Sequence, residues 1–103
     1  MRVDPSACDN GAIRLASENG HVAVVDRLLL VRDASGRLWV DPSADKNYAI
    51  RWASRNGHLA VVERLLKDPR VDPSANNNAA IRLASSGGHI AVVELLKANG
   101  CRT

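Results

Sequence analysis

The sequence predicts an all-α solenoid: three stacked helix–turn–helix repeats joined by short hairpin-like loops. Three observations carry that expectation. The segment VDPSA begins at Val3, Val40 and Val71, and each copy leads into nearly the same residues. Within each copy, two short helical patterns flank a glycine. The chain is 46% hydrophobic yet has no Phe and only 3% aromatic residues, so its core must be built from Ala, Val, Leu and Ile. A fixed-period repeat of this length sets the architecture before any single residue does.

The repeat in the middle of the chain shows each element in order. Asn47 is placed to cap a short helix, Tyr48 to Ser54, whose alanines suit close packing. Asn56-Gly57 ends that helix, with glycine supplying the left-handed conformation at its C-terminus. His58 then opens a second helix from Leu59 to Lys67, with an apolar stripe of Leu59, Val61, Val62, Leu65 and Leu66. Asp68-Pro69-Arg70 stops it, because proline cannot continue a helix. Val71 to Ala75 is the extended turn into the next copy. One such unit cannot bury both of its faces, whereas three stacked units form a continuous core.

The 103 residues are expected to form one domain, 1–103, of modest stability. Repeat 1 covers about 1–37, repeat 2 about 38–68 and repeat 3 about 69–103. The first two copies are offset by 37 residues and the last two by 31. The difference is an insertion near 33–39 that carries Leu38 and Trp39. A net charge of +3 does not argue for nucleic acid or membrane binding. No apolar run approaches membrane-spanning length. Met1 leads directly into the first repeat, so no signal peptide is expected. The expected compartment is the cytoplasm, with the nucleus as the alternative. Cys8 and Cys101 fall in layers about 25–30 Å apart if the repeats stack, too far for a disulfide. Two free thiols are expected.

The run Ala53-Ser-Arg-Asn-Gly-His-Leu-Ala-Val-Val-Glu-Arg-Leu-Leu66 resembles the ankyrin repeat. The resemblance recurs about three times and covers nearly the whole chain. It departs from the family in two ways. The usual Thr-Pro-Leu-His opening is replaced by Tyr48-Ala-Ile-Arg51 and its counterparts, and the period is 31 against about 33. These features suggest a divergent, DPSA-containing subgroup. The resemblance implies a non-catalytic adaptor that binds a partner protein through its loop tips and the concave face of its first helices.

Functional candidates are the columns in which the copies differ. These are Cys8/Asp45/Asn76, Asp9/Lys46/Asn77, Gly11/Tyr48/Ala79, Leu15/Trp52/Leu83, Glu18/Arg55/Ser86 and Asn19/Asn56/Gly87. Second-helix columns vary conservatively, as packed positions must. Tyr48, Trp52 and Arg55 stand at i, i+4 and i+7 and so share one helical face. Tyr, Trp and Arg are also the types enriched in interface hot spots. The expected partner-binding set is Asp9, Glu18, Asp45, Lys46, Tyr48, Trp52, Arg55, Asn56 and Asn77. Trp52 aligns with Leu15 and Leu83, so packing between helices is its competing role.

Residues that recur in register are read as scaffold. His21, His58 and His89 lie one repeat apart, far beyond the distance at which they could share a metal. They are expected to hydrogen-bond locally at the start of each second helix. The pairs Ser17/His21, Ser54/His58 and Ser85/His89 are spaced like nucleophile and base but lack an orienting group and an oxyanion site. No catalytic residue, metal or cofactor is expected. Arg14, Arg51 and Arg82 could read phosphates as a ladder; the favoured role is to reach a carbonyl or the recurring Asp4, Asp41 or Asp72. A protein partner is expected, and a small-molecule substrate, nucleic acid or membrane is not.

Terminal repeats normally turn a polar face to solvent. Here the outer helices keep Val22, Val24, Val25 and Leu28 to Leu30 at one end, and Ile90, Val92, Val93, Leu95 and Leu96 at the other. At least one end is therefore expected to be apolar. The alternative function is a self-associating or structural array, a fragment of a longer one or a consensus-like design, with contacts through the stack ends.

Overall fold

A computed structural model describes residues 11–31, 35–36 and 40–100, without the side chains of 44, 45 and 77. Cys8, Asp9, Leu38, Trp39 and Cys101 lie outside the described residues, as do the side chains of Asp45 and Asn77. Six helices follow one another: α1 (Gly11–Glu18), α2 (Val22–Leu30), α3 (Ala44–Arg55), α4 (Leu59–Leu66), α5 (Ala75–Ser86) and α6 (Ile90–Ala98). Helices α1, α3 and α5 pack side by side as one layer, and α2, α4 and α6 form the other. Each repeat is thus one antiparallel pair, and the pairs stack along the long axis.

The glycine turns form as the sequence requires. Gly20, Gly57 and Gly88 have φ of 77°, 74° and 75°. After each, the histidine N–H closes back on the first helix at 2.9 Å: His21 to Ala16, His58 to Ala53 and His89 to Ala84. Together with the Gly57-to-Ser54 bond at 3.2 Å, which spans three residues, the His58 bond makes a Schellman ending, in which left-handed glycine lets two otherwise unpaired carbonyls be satisfied. His58 stands immediately before α4, which ends one residue short of the expected Lys67.

The start of α3 differs from expectation. Its bounds reach back to Ala44, but Lys46 and Asn47 have φ of 56° and 60°, so regular right-handed helix runs from Tyr48. Asn47 sits in the left-handed region that Asn tolerates. Its side-chain oxygen does not serve as the expected cap. Instead it accepts the Asp72 N–H at 2.8 Å, tying repeat 2 to the turn of repeat 3. Asn47 is buried, so this acceptor is shielded from water.

The second and third VDPSA segments are self-bonded turns. The Asp41 carboxylate accepts the N–H and hydroxyl of Ser43, and Asp72 accepts both from Ser74, at 3.0 and 2.7 Å. Of the two roles expected for the arginine column, the carbonyl contact is seen. Arg51 Nε donates to the Lys46 carbonyl at 2.9 Å and Arg82 Nη2 to that of Asn76 at 3.2 Å. The arginine that ties the VDPSA turn to the repeat junction is Arg70. Its Nη1 donates to the Val40 carbonyl at 2.9 Å, and its Nε and Nη2 clamp the Asp68 carboxylate at 3.0 and 2.8 Å.

The Arg70 hydrogen bonds hold the Asp68 carboxyl below the usual value of 3.8, against the opposing effect of burial. A lowered folded-state pKa contributes stability above the unfolded value, and that stability is lost as pH falls through the folded one. Wild type should therefore exceed Asp68→Asn in stability at neutral pH, with the gap closing only below about pH 3.8. Urea titrations of both proteins across acid pH check this; a gap that does not change with pH would refute it.

The core is aliphatic throughout. Ile13, Ile50 and Ile81 occupy one column and are almost fully buried, as are Val61, Val62, Leu65 and Leu96 in the second layer. Ala49, Ala53, Ala80 and Ala84 are buried along α3 and α5, which lets those helices approach closely. No helix among the described residues is long and apolar enough to cross a membrane.

Candidate functional site

Glu18, Tyr48, Trp52, Arg55 and Asn56, all from divergent columns, are linked in one patch of the first-helix layer. The Tyr48 hydroxyl donates to Glu18 Oε1 at 2.7 Å, across the repeat boundary. The Tyr48 and Trp52 rings lie 5.5 Å apart, tilted by 32°. The Arg55 guanidinium stands 4.7 Å from the Trp52 centroid, and those of Arg14 and Arg51 stand 5.0 and 5.8 Å from the Tyr48 centroid. The result is a continuous run from Arg14 through Tyr48 and Trp52 to Arg55, with Glu18 holding one end.

These contacts follow from helix geometry. Residues 48, 52 and 55 fall on one face, so ring meets ring and then guanidinium. A tilted aromatic pair contributes about 0.5–1.5 kcal/mol and each exposed cation–π contact about 0.5–1 kcal/mol. That is enough to bias rotamers before any partner arrives. Tyr48 and Trp52 are half-buried, while Arg55 is exposed. Trp52 therefore keeps part of its surface open and is not consumed by helix packing. The hydrogen bond to Glu18 raises the Tyr48 pKa above 10.0, so the phenol stays a neutral donor.

Glu18 is also bound through its backbone. Its carbonyl accepts Asn56 Nδ2 at 2.9 Å and His58 Nε2 at 3.0 Å. A carbonyl can only accept, so the Nε2 of His58 carries the proton. The expected local bonding is met by the backbone, where the His58 carbonyl accepts the Val62 N–H at 3.0 Å, whereas the His58 side chain bonds the preceding repeat. A Cβ on Gly20 would lie 2.5 Å from His58 Nδ1, and one on Gly57 the same distance from His89 Nδ1. Each of these rings thus lies against the glycine of the repeat before it.

Of the nine expected binding residues, the structure brings together Glu18, Tyr48, Trp52, Arg55 and Asn56. Lys46 is exposed at the left-handed entry to α3, one turn before Arg51. Asp9 and the side chains of Asp45 and Asn77 are not described. Sequence reasoning passed over Arg14 and Arg51 as invariant scaffold, yet both face Tyr48. The available signal was the i, i+3 spacing of Tyr48 and Arg51, which places a cation beside any aromatic in that column.

The Ser/His pairs of the first two repeats are not hydrogen-bonded through the serine hydroxyl. The hydroxyls of Ser17 and Ser54 are buried without a hydrogen-bond partner, so no histidine takes their protons. No group of three or more His, Cys, Asp or Glu that could hold a metal occurs among the described residues. The chain matches a family model described as ankyrin repeats (3 copies) over residues 13–103. Comparison with curated proteins gave no match.

Proposed function

Because the chain belongs to the ankyrin repeat family, whose members generally mediate protein–protein interaction and are typically non-catalytic, we propose that it binds a partner protein through its first-helix concave face. The centre of that surface is Glu18, Tyr48, Trp52, Arg55 and Asn56, flanked by the loop-tip residues Asp9, Asp45, Lys46 and Asn77. The observation that carries this reading is the Arg14–Tyr48–Trp52–Arg55 run. It gathers Tyr48, Trp52 and Arg55 from columns where the repeats differ onto the invariant Arg14, already held in place by one another. Pre-ordering cuts the entropy lost when a partner docks. Arg14, Arg51, Arg55 and Arg82 on one layer favour a partner segment bearing carboxylates beside an apolar side chain.

Affinity capture from the native host with wild type and a Tyr48→Ala/Trp52→Ala/Arg55→Ala variant tests the proposal. One central anchor contributes about 2 kcal/mol, ~30-fold in Kd, so the triple variant should lose any partner that wild type retains. Circular dichroism must show the variant still folded. Equal capture by both folded proteins would place binding elsewhere.

A further inference from the structure

We infer that the two ends of the stack are complementary halves of one interface, and that a second copy of this chain docks head to tail on the first. The starting point is how the repeats meet inside the chain. Three contacts recur or are available at that junction. Val61 and Val92, which each have a repeat before them, are 1% exposed. His58 and His89 rest on Gly20 and Gly57 of the repeat before. Arg64 of α4 pairs with Asp26 of α2, also one repeat back.

Each element has an unused counterpart at an end. Val24, in the same column as Val61 and Val92, is 47% exposed. It lines a shallow apolar depression with Arg27, Leu28, Leu30 and Val31. At the opposite end, a Cβ on Gly88 would meet nothing within 4 Å, where Gly20 and Gly57 are covered by a histidine. Ser17 and Ser54 are fully buried, yet Ser85 in their column is exposed. His21 is exposed as well.

Placing repeat 1 of one copy on repeat 3 of another in the internal register joins these parts. His21 falls on Gly88 and Val24 on the second layer of the neighbour. Arg27 occupies the Arg64 column and Glu94 the Asp26 column, so Arg27 meets Glu94. Charge and shape therefore agree on a second copy as the occupant. The repeats are near-identical, so the junction between copies reuses a junction the chain already makes. Such a contact joins two different surfaces and does not close, so association is open-ended and concentration-dependent.

Sedimentation velocity up to millimolar protein tests this with three charge variants. Wild type should shift progressively to larger species. Arg27→Glu and Glu94→Arg should each weaken association roughly tenfold by placing like charges opposite one another. An equimolar mixture of the two should associate again in alternating order, because both kinds of junction then set opposite charges face to face. The double variant Arg27→Glu/Glu94→Arg should associate again. Both side chains lie outside the buried core, and thermal melts confirm that each variant folds. A wild type that stays monomeric throughout overturns the inference, and so does association that neither single reversal weakens. Neither result bears on the Tyr48–Trp52 surface.

Discussion

Replacing Ile50 by Ala should destabilise the protein by about 2–5 kcal/mol, the range for a fully buried isoleucine whose cavity cannot close. Ile50 is fully buried in α3, the first helix of the central repeat, and α3 packs on both α1 and α5. A solenoid has only nearest-neighbour interfaces, so damage to the middle unit weakens both junctions at once. A domain of this size is stable by roughly 5–15 kcal/mol in total, so the loss is a large fraction of what holds it together. The thermal midpoint should fall by ~10 °C or more. Leu15→Ala is the control: Leu15 is 62% exposed, and its removal should change stability by less than about 0.5 kcal/mol. Urea unfolding followed by circular dichroism measures both. Similar midpoints for the two variants would mean that the central column does not carry the stack.

How much of this was legible in the sequence depends on whether a contact lies within one repeat or between two. The helices, the glycine turns and the aliphatic core could all be read, because each is written in a local period or in one residue type with one conformational use. Gly57 had to be left-handed, and Leu59 to Leu66 had to form a stripe. Contacts between repeats could not be read the same way. Asn47 looked like the cap of its own helix, since Asn before a helical run ordinarily is. In the fold its oxygen reaches Asp72, 25 residues on. His58 looked local for the same reason, and its partner carbonyl is 40 residues back. Column alignment shows which residues are equivalent but not which layer each one faces. The site was legible in part. The face shared by Tyr48, Trp52 and Arg55 follows from spacing alone, whereas the approach of Arg14 and Glu18 to Tyr48 needs the layers superposed. The apolar character of the ends is legible from the outer helices, but Ser17, Ser54 and Ser85 are the same residue in the same column, and their different exposure needs the stacked layers.

That difference between interior and end yields the second large effect. Gly20→Ala and Gly88→Ala should differ sharply in cost although both glycines have the same backbone, φ of 77° and 75°. An L side chain in that region costs about 1–2 kcal/mol, and both variants incur it equally. At Gly88 nothing more is added, because open space surrounds the new methyl. At Gly20 the methyl would lie 2.5 to 2.9 Å from three atoms of the His58 ring. The ring must move, and moving it breaks the 3.0 Å bond from Nε2 to the Glu18 carbonyl. Losing that bond costs about 0.5–1.5 kcal/mol, and separating the two layers costs packing as well. Gly20→Ala should therefore cost ~2–4 kcal/mol against ~1–2 kcal/mol for Gly88→Ala. The comparison belongs at dilute protein, where no second copy can cover Gly88. Since the backbone cost cancels, the difference measures what one histidine–glycine contact contributes to holding two repeats together. Equal destabilisation by the two variants would show that this contact contributes nothing, and that the apolar layers alone set the register.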